Sequence, residues 1–198
     1  IDGLFFTGSY ATGARIAQAC VTRMAKFQLE MGGKNPMVVL DDADLNVAVG
    51  AALNSGFFST GQRCTASSRL IVTEGIHDRF VAAMVERMKT LKVDDARKAG
   101  TDIGPVVDEK QLAQDLQYIE IGQKEGATLV TGGQHIGDRG YYISPAVFAN
   151  VKHEMRISQE EIFGPVVSVI KFKDEADAIR IANGTAFSIA AGVWSRDI

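Results

Sequence analysis

Short apolar segments of strand type alternate with longer segments of helix type along almost the whole chain. The strand-type runs are residues 4–7, 27–30, 36–40, 69–73, 166–172 and 189–194. The helix-type runs are residues 13–25, 45–58, 76–91, 108–126 and 175–183. Repeated strand–helix units favour an α/β fold with a largely parallel sheet.

Composition and charge exclude several classes of protein. Hydrophobic residues make up 46% of the 198 residues and charged residues 23%, which is typical of globular domains and argues against disorder. The net charge of −3 provides no basic surplus for phosphate neutralisation, so we expect no nucleic-acid partner. No apolar run approaches the roughly 18 residues of a membrane span. Two cysteines, Cys20 and Cys64, cannot build a disulfide framework, which favours reduced thiols and a cytoplasmic location.

The turn at residues 8–13 (GSYATG) follows an apolar strand and opens a helix. The N-terminal amides and the dipole of such a helix form an anion site, to which Ser9 adds a hydroxyl donor. The glycine spacing is GxxxxG, without the lysine that follows it in a P-loop and without the GxGxxG pattern. A phosphate-binding turn and an ordinary strand–helix turn are both open on these residues.

Cys64 lies among small polar residues in the segment 57–68 (FFSTGQRCTASS). The adjacent Arg63 and the surrounding Ser and Thr residues favour a thiolate, which makes Cys64 a candidate nucleophile. The alternative is a small buried hydrophobic side chain. Cys20 lies in an alanine-rich helix and is interpreted as structural.

Two acidic segments complete the candidate chemistry. Glu30 ends an apolar strand before Gly32 and Gly33, where apolar surroundings would raise its pKa and make it a general base. An ion pair between Glu30 and Lys34 is the alternative. In the segment 159–165 (QEEIFGP), a carboxylate can bind a ribose diol and the phenylalanine can lie against a flat ring. A plain helix start followed by a turn is the alternative there.

The three histidines, His77, His135 and His153, support no rival site. Any of them near Cys64 would give a Cys–His hydrolase, but no local signature favours that arrangement. We expect all three to be solvated surface residues. No spacing typical of metal ligands occurs, so no metal is predicted.

Together the four segments resemble the aldehyde dehydrogenase superfamily, in family order along essentially the whole chain. Residues 6–9 with Gly13 resemble its cofactor-phosphate turn, and residues 30–36 (EMGGKNP) its glutamate signature, with Met31 where leucine is more usual. Residues 61–65 (GQRCT) resemble its cysteine signature and residues 161–165 (EIFGP) its nicotinamide-side motif. The segment 61–68 is most similar to enzymes of the α-ketoglutaric semialdehyde dehydrogenase type.

The resemblance implies NAD- or NADP-dependent oxidation of an aldehyde, expected to be a semialdehyde of a small carboxylic acid. Cys64 would form a thiohemiacetal and then a thioester, and Glu30 would activate the hydrolytic water. Glu161, the second acid of its pair, would bind the nicotinamide ribose. The full set of implied cofactor-binding residues is Gly8, Ser9, Gly13, Met31, Gly32, Glu161 and Phe163.

The resemblance also implies a partial Rossmann-like cofactor domain at residues 1–31 and a catalytic domain at residues 32–198, its parallel sheet covered by helices on both faces. Because the family is much longer, we expect this chain to be a fragment, incomplete at its C-terminus and inactive by itself, of an enzyme that forms a homodimer or homotetramer. Two alternatives stay open. One is a CoA-acylating relative, against which Glu30 argues, and the other is a non-catalytic fragment or binding module.

Overall fold

The computed structural model describes residues 1–197, which form a small and a large sheet. In the small sheet, β1 (Gly3–Gly8) and β2 (Lys26–Met31) are parallel and are joined by α1 (Tyr10–Thr22). Parallel neighbours need a crossover of this kind. Ser9 caps α1, since its side chain accepts a hydrogen bond from the Thr12 N–H. The helix predicted at 13–25 therefore begins and ends about three residues earlier than expected.

The large sheet has six strands. They are β3 (Asn35–Val39), β4 (Ser67–Thr73), β5 (Thr128–Thr131), β6 (Ala146–Ala149), β7 (Val166–Phe172) and β8 (Gly192–Trp194). Their spatial order is β5–β6–β7–β4–β3–β8, and every neighbouring pair is parallel except β5–β6. The prediction of a largely parallel sheet is therefore confirmed, with one antiparallel edge strand.

Helices cover both faces of the large sheet, as expected. They are α2 (Leu45–Phe57), α3 (Glu74–Met88), α4 (Glu109–Lys124), the short α5 (Arg156–Gln159) and α6 (Glu175–Asn183). Leu70 of β4 packs into the core beneath α2 and α3, while its neighbour Ile71 packs into the core beneath α4 and α6. This alternation follows from the pleat of a strand. No helix within residues 1–197 is long and apolar enough to cross a membrane.

The agreement between predicted and observed elements varies along the chain. The strand at 166–172 and the helix at 175–183 are confirmed to the residue. The short elements β5, β6 and α5 have no counterpart among these predicted segments: β6 because its four residues are all buried and show no alternation, and α5 because it is a single turn. The small and large sheets separate between Met31 and Asn35, and we propose this as the boundary between the two domains.

A buried guanidinium joins the central strand β4 to its neighbours. Arg69 Nε donates to the Lys34 carbonyl at 2.9 Å, and its two terminal nitrogens donate to the carbonyls of Ile181 and Ala182, each at 2.8 Å. The latter carbonyls belong to the last turn of α6, where carbonyls lack the N–H of a following helical turn. The Ile181 carbonyl also accepts from the Gly184 N–H at 3.3 Å. Burial lowers the pKa of Arg69 to about 10. One side chain thus fixes the end of α6 and the residue that precedes β3.

Replacing Arg69 by methionine removes all three hydrogen bonds while keeping an unbranched side chain. We expect Arg69→Met to lower the free energy of unfolding by roughly 2–4 kcal/mol, because it leaves the carbonyls of Lys34 and Ala182 unpaired at a cost of about 1–3 kcal/mol each. Urea denaturation measures the change. The matched control is Arg79→Met, at an exposed position of α3, where we expect little change. Equal stability of the two variants would contradict this role for Arg69.

Candidate active site

The ends of β1 and β2, the loop after α2 and the turn at 160–164 surround a cavity of about 600 Å³. This volume is in the range of small-molecule sites. The residues that line it are Thr7, Gly8, Ser9, Glu30, Met31, Gly32, Gln62, Arg63, Cys64, Thr65, Glu161 and Phe163. The fold therefore brings all four predicted segments to one cavity.

Gly13 is the predicted site residue that lies outside the cavity. It is buried in the first turns of α1, where an added Cβ would lie 2.5 Å from Met31 Sδ. The missing side chain lets α1 pack closely on β2. Gly13 therefore acts through packing, whereas Gly8 and Ser9 border the cavity directly.

Cys64 is exposed in its loop, whereas Cys20 is buried in α1. The buried Asn35 holds this loop, because its Nδ2 donates to the Cys64 carbonyl at 2.7 Å and to the Ala66 carbonyl at 3.0 Å. Asn35 Oδ1 in turn accepts from the Ala190 N–H at 3.0 Å. In the sequence Asn35 is only a member of the glutamate signature, and its role becomes visible only through these contacts.

The loop before Cys64 has an unusual backbone. Ser59, Thr60 and Gly61 are consecutive residues with φ of 56°, 59° and 66°. Left-handed conformations of non-glycine residues are strained and persist only where the surroundings enforce them. A Cβ on Gly61 would overlap the Gly164 carbonyl, so the loop lies directly against the turn at 160–164. Gln62 Oε1 also accepts from the Val107 N–H at 2.9 Å.

The Arg63 guanidinium binds the C-terminal end of α2. Its Nη2 donates to the carbonyls of Asn54, at 2.5 Å, and Ser55, at 3.0 Å. A cation at a helix C-terminus is favoured by the helix dipole. Although Arg63 lines the cavity next to Cys64, its Nη2 is therefore bound by main-chain carbonyls.

The surroundings of Glu30 differ from the expectation. Its side chain is exposed at the end of β2 and accepts a hydrogen bond from Gln28 Nε2 at 3.1 Å, so the predicted apolar surroundings are absent. The alternative ion pair is not formed either. Lys34 is buried, and within residues 1–197 its Nζ has no hydrogen-bond partner. Burial, together with the charge of Arg69, lowers the pKa of Lys34 to about 7.

The two acids of the turn at 160–164 have separate partners. Glu161 Oε1 accepts from the Gly33 N–H at 2.9 Å, and a Cβ on Gly32 would overlap the Glu161 carboxylate. Glu160 instead forms an ion pair with Arg156, at 2.7 Å between Oε1 and Nε. Phe163, with φ of 59°, keeps 38% of its surface exposed at the cavity. Glu161 and Phe163 are thus the members of this segment that face the cavity.

None of the three histidines lines the cavity. The expectation of a solvated surface residue is wrong for His77, which is buried in α3 with Nδ1 2.7 Å from Asp78 Oδ1. Its apolar neighbours on α3 pack into the core and carry the imidazole with them. Residues 1–197 contain no group of His, Cys, Asp or Glu side chains arranged to hold a metal ion.

Comparison with known proteins identifies the family to which this chain belongs. The aldehyde dehydrogenase family model matches residues 1–198, and the chain belongs to this family. Alpha-ketoglutaric semialdehyde dehydrogenase of Bacillus subtilis is 45% identical over 202 residues, covering 100% of the chain and 41% of that relative. Betaine aldehyde dehydrogenase of the same organism is also 45% identical, with 41% of its length covered. The family resemblance expected from the motifs is confirmed.

A solved structure agrees with this membership. Betaine aldehyde dehydrogenase of Staphylococcus aureus, in complex with NAD+, superposes with a TM-score of 0.96 at 38% identity. The match covers 100% of the chain and 40% of that structure. The chain thus spans about two fifths of the relatives that it matches.

A buried acid lies beneath the turn at 160–164, and no sequence pattern marks it. Asp115 of α4 is fully buried, with Oδ1 accepting from Gln111 Nε2 at 2.7 Å. Its Oδ2 has no partner among the described residues. Burial raises the pKa of Asp115 to about 7.

This raised pKa makes stability depend on pH. Between about pH 4 and pH 7 the folded protein keeps a proton on Asp115 that the unfolded chain has lost, so stability falls as pH rises and the loss is complete above the folded pKa. Asp115→Asn removes the titration. We expect its gain in stability over the wild type to grow across this window, to the order of 3 kcal/mol at pH 8.

Thermal melts at pH 4 to pH 8 measure this gain. The control is Asp138→Asn, the same change at an exposed position, which should follow the wild-type profile at every pH. A constant difference between Asp115→Asn and the wild type would show that Asp115 does not titrate in this window.

Proposed function

We propose that the protein containing this chain oxidises an aldehyde to a carboxylic acid, with NAD+ or NADP+ as the hydride acceptor. The observation that carries the proposal is the single cavity lined by Cys64, Glu30, Glu161 and Phe163, which also reaches Ser9 at the start of α1. A nucleophile, a base, a carboxylate and an aromatic ring in one cavity match the needs of this reaction.

The residues around the cavity fit a nicotinamide dinucleotide. In the first turn of α1 the Thr12 N–H is bound by the Ser9 side chain. The amides before it have no intrahelical acceptor and favour a phosphate beside Gly8 and Ser9. Glu161 would accept a hydrogen bond from a ribose hydroxyl while the Gly33 N–H fixes its orientation. Phe163 offers an exposed ring to a flat heterocycle. When bound, the cofactor accepts the hydride that leaves the aldehyde carbon.

Cys64 supplies the nucleophile. Its thiolate attacks the aldehyde carbonyl carbon, and the tetrahedral thiohemiacetal carries the negative charge on the former carbonyl oxygen. The backbone N–H of Cys64 would donate to that oxygen. The Asn35 side chain restrains the loop through the Cys64 carbonyl, which limits the positions that this N–H can adopt. Loss of the hydride leaves an acyl thioester on Cys64.

Glu30 supplies the base for the second half of the reaction. It removes a proton from a water molecule, the water oxygen attacks the thioester carbon, and the acid leaves as Cys64 is released. Its exposed carboxylate at the cavity supports contact with water. A CoA-acylating enzyme needs no such base, so Glu30 favours hydrolysis over transfer to coenzyme A.

We propose a semialdehyde of a small carboxylic acid as the substrate class, which the similarity to the Bacillus subtilis semialdehyde enzyme supports. We also propose NAD+ as the preferred cofactor, on the likeness to the NAD+-bound Staphylococcus aureus structure. A cytoplasmic homo-oligomer is proposed as well. The two free cysteines favour the compartment, and the homo-oligomer is proposed from the family resemblance.

The Glu30→Gln variant of the intact protein tests whether Glu30 is needed for hydrolysis of the thioester and not for its formation. It should still release a first burst of NADH on mixing with NAD+ and α-ketoglutaric semialdehyde, because acylation does not need the base. Steady turnover should fall about 10²–10⁴-fold, the usual contribution of a general base. Stopped-flow absorbance at 340 nm measures both phases.

The control is Glu154→Gln, an exposed glutamate outside the cavity, which should keep both phases. Unchanged steady turnover in Glu30→Gln would show that Glu30 is not the base. Coenzyme A added to the wild type distinguishes hydrolysis from the alternative, acylation of coenzyme A. Turnover that requires coenzyme A would identify an acylating enzyme.

A further inference from the structure

We infer that a polar row on α4, formed by Gln111, Gln114, Asp115 and Tyr118 and called here the α4 clamp, positions Glu161 and Phe163 for the cofactor. This inference rests on the proposed function and adds residues to it that lie outside the cavity. The four clamp residues are spaced i, i+3, i+4 and i+7, so they share one face of the helix.

The centre of the turn is held by two amides. Gln111 Nε2 and Gln114 Nε2 both donate to the Ile162 carbonyl, at 3.0 Å and 2.8 Å. A carbonyl oxygen has two lone pairs, so these donors saturate it. The peptide between Ile162 and Phe163 is therefore fixed in orientation from the α4 side.

The N-terminal end of the turn is held through a side chain. The Tyr118 hydroxyl donates to Glu160 Oε2 at 2.6 Å. Arg156 donates to both oxygens of the same carboxylate, from Nε to Oε1 at 2.7 Å and from Nη2 to Oε2 at 2.9 Å. The Arg156 guanidinium also lies over the Tyr118 ring, 5.7 Å from its centroid. Glu160 is thus bound on both oxygens and is directed away from the cavity.

The C-terminal end of the turn is held by packing. The Asp115 carboxyl group occupies the space that a Cβ on Gly164 would need. Gln111 bonds Asp115 with the same amide nitrogen that reaches Ile162, so the clamp is internally connected. Any larger residue at 164 would push the turn off α4.

Alternate residues of the turn at 160–164 face α4 and the cavity. Residues 160, 162 and 164 are bound by α4, whereas Glu161 and Phe163 between them line the cavity. Phe163 has φ of 59°, a conformation that a phenylalanine keeps only when its neighbours enforce it. The contacts of the α4 clamp enforce this conformation. None of them involves the side chain of Glu161 or Phe163, so both side chains can face the cavity.

The test removes one donor from the intact protein. Gln114→Met keeps the length and helix preference of the side chain but cannot bond the Ile162 carbonyl. We expect NAD+ affinity, measured by calorimetry, to fall about 3- to 10-fold, in line with the loss of one hydrogen bond. The KM for the aldehyde should stay within about twofold. In the protein without NAD+, amide hydrogen exchange across residues 161–164 should become faster.

The matched control is Gln117→Met, the same change at an exposed position of the same helix. It should leave NAD+ affinity and exchange at wild-type values. If Gln114→Met does not fold, Gln114→Glu with its control Gln117→Glu repeats the test, because glutamate keeps the shape of the side chain and supplies no N–H donor.

The outcomes separate the two proposals. NAD+ binding by the wild type that Gln114→Met leaves unchanged, with unchanged exchange at 161–164, would overturn the clamp and leave the proposed function intact. Equal weakening of NAD+ and aldehyde binding, with a lowered melting temperature, would indicate a merely structural role and would also overturn it. Absence of NAD+ binding by the wild type would overturn the proposed function, and this inference with it.

Discussion

A single buried amide, Asn35, and the backbone just before it hold the candidate site together. The Asn35 side chain binds the carbonyls of Cys64 and Ala66, and the Gly33 N–H binds Glu161. Residues far apart in the sequence therefore meet at one three-residue stretch, 33–35. An added Cβ at Gly33 would lie 2.6 Å from the Cys64 carbonyl oxygen, so the contact requires glycine at this position.

Two buried cations, Lys34 within this stretch and Arg69 bound to its backbone, influence its electrostatics. The Arg69 guanidinium binds only carbonyl oxygens, and burial together with its positive charge lowers the pKa of Lys34. Glu161 and Glu160 act on Lys34 in the opposite direction. Burial and the Arg69 charge thus disfavour the positive charge of Lys34, and the two carboxylates favour it.

Much of the fold and the main reactive groups follow from sequence pattern. The alternation of segments predicts the parallel sheet, and residue chemistry draws attention to Cys64, Glu30 and the segment 159–165. The choice of Glu161 over Glu160 within that segment comes from the family resemblance. The features that the sequence pattern does not predict are those that depend on tertiary contacts. The burial of His77 and Asp115, the direction of the Arg63 guanidinium and the packing role of Gly13 each depend on a neighbour that is remote in the sequence or across a helix–strand contact. The short β6 is fully buried and so lacks the alternation that reveals a half-exposed strand.

The same reasoning explains why supporting residues are harder to find than reactive ones. A thiol or a carboxylate has a chemistry that is recognisable in isolation, whereas the amides of Asn35, Gln111 and Gln114 become informative only when their acceptors are known. Their acceptors are main-chain carbonyls, which carry no residue identity. The residues that support this site bind main-chain carbonyls, so they can be recognised only in the folded structure.

The central claim is that Cys64 carries the acyl group during turnover, and the mass of the peptide containing Cys64 tests it most directly. The intact protein is mixed with NAD+ and α-ketoglutaric semialdehyde, quenched in acid within the first turnover, digested and analysed by mass spectrometry. The account predicts an acyl adduct on Cys64 that requires NAD+, with Cys20 unmodified. NADH formation without any adduct on Cys64, or an adduct on Cys20, would contradict it.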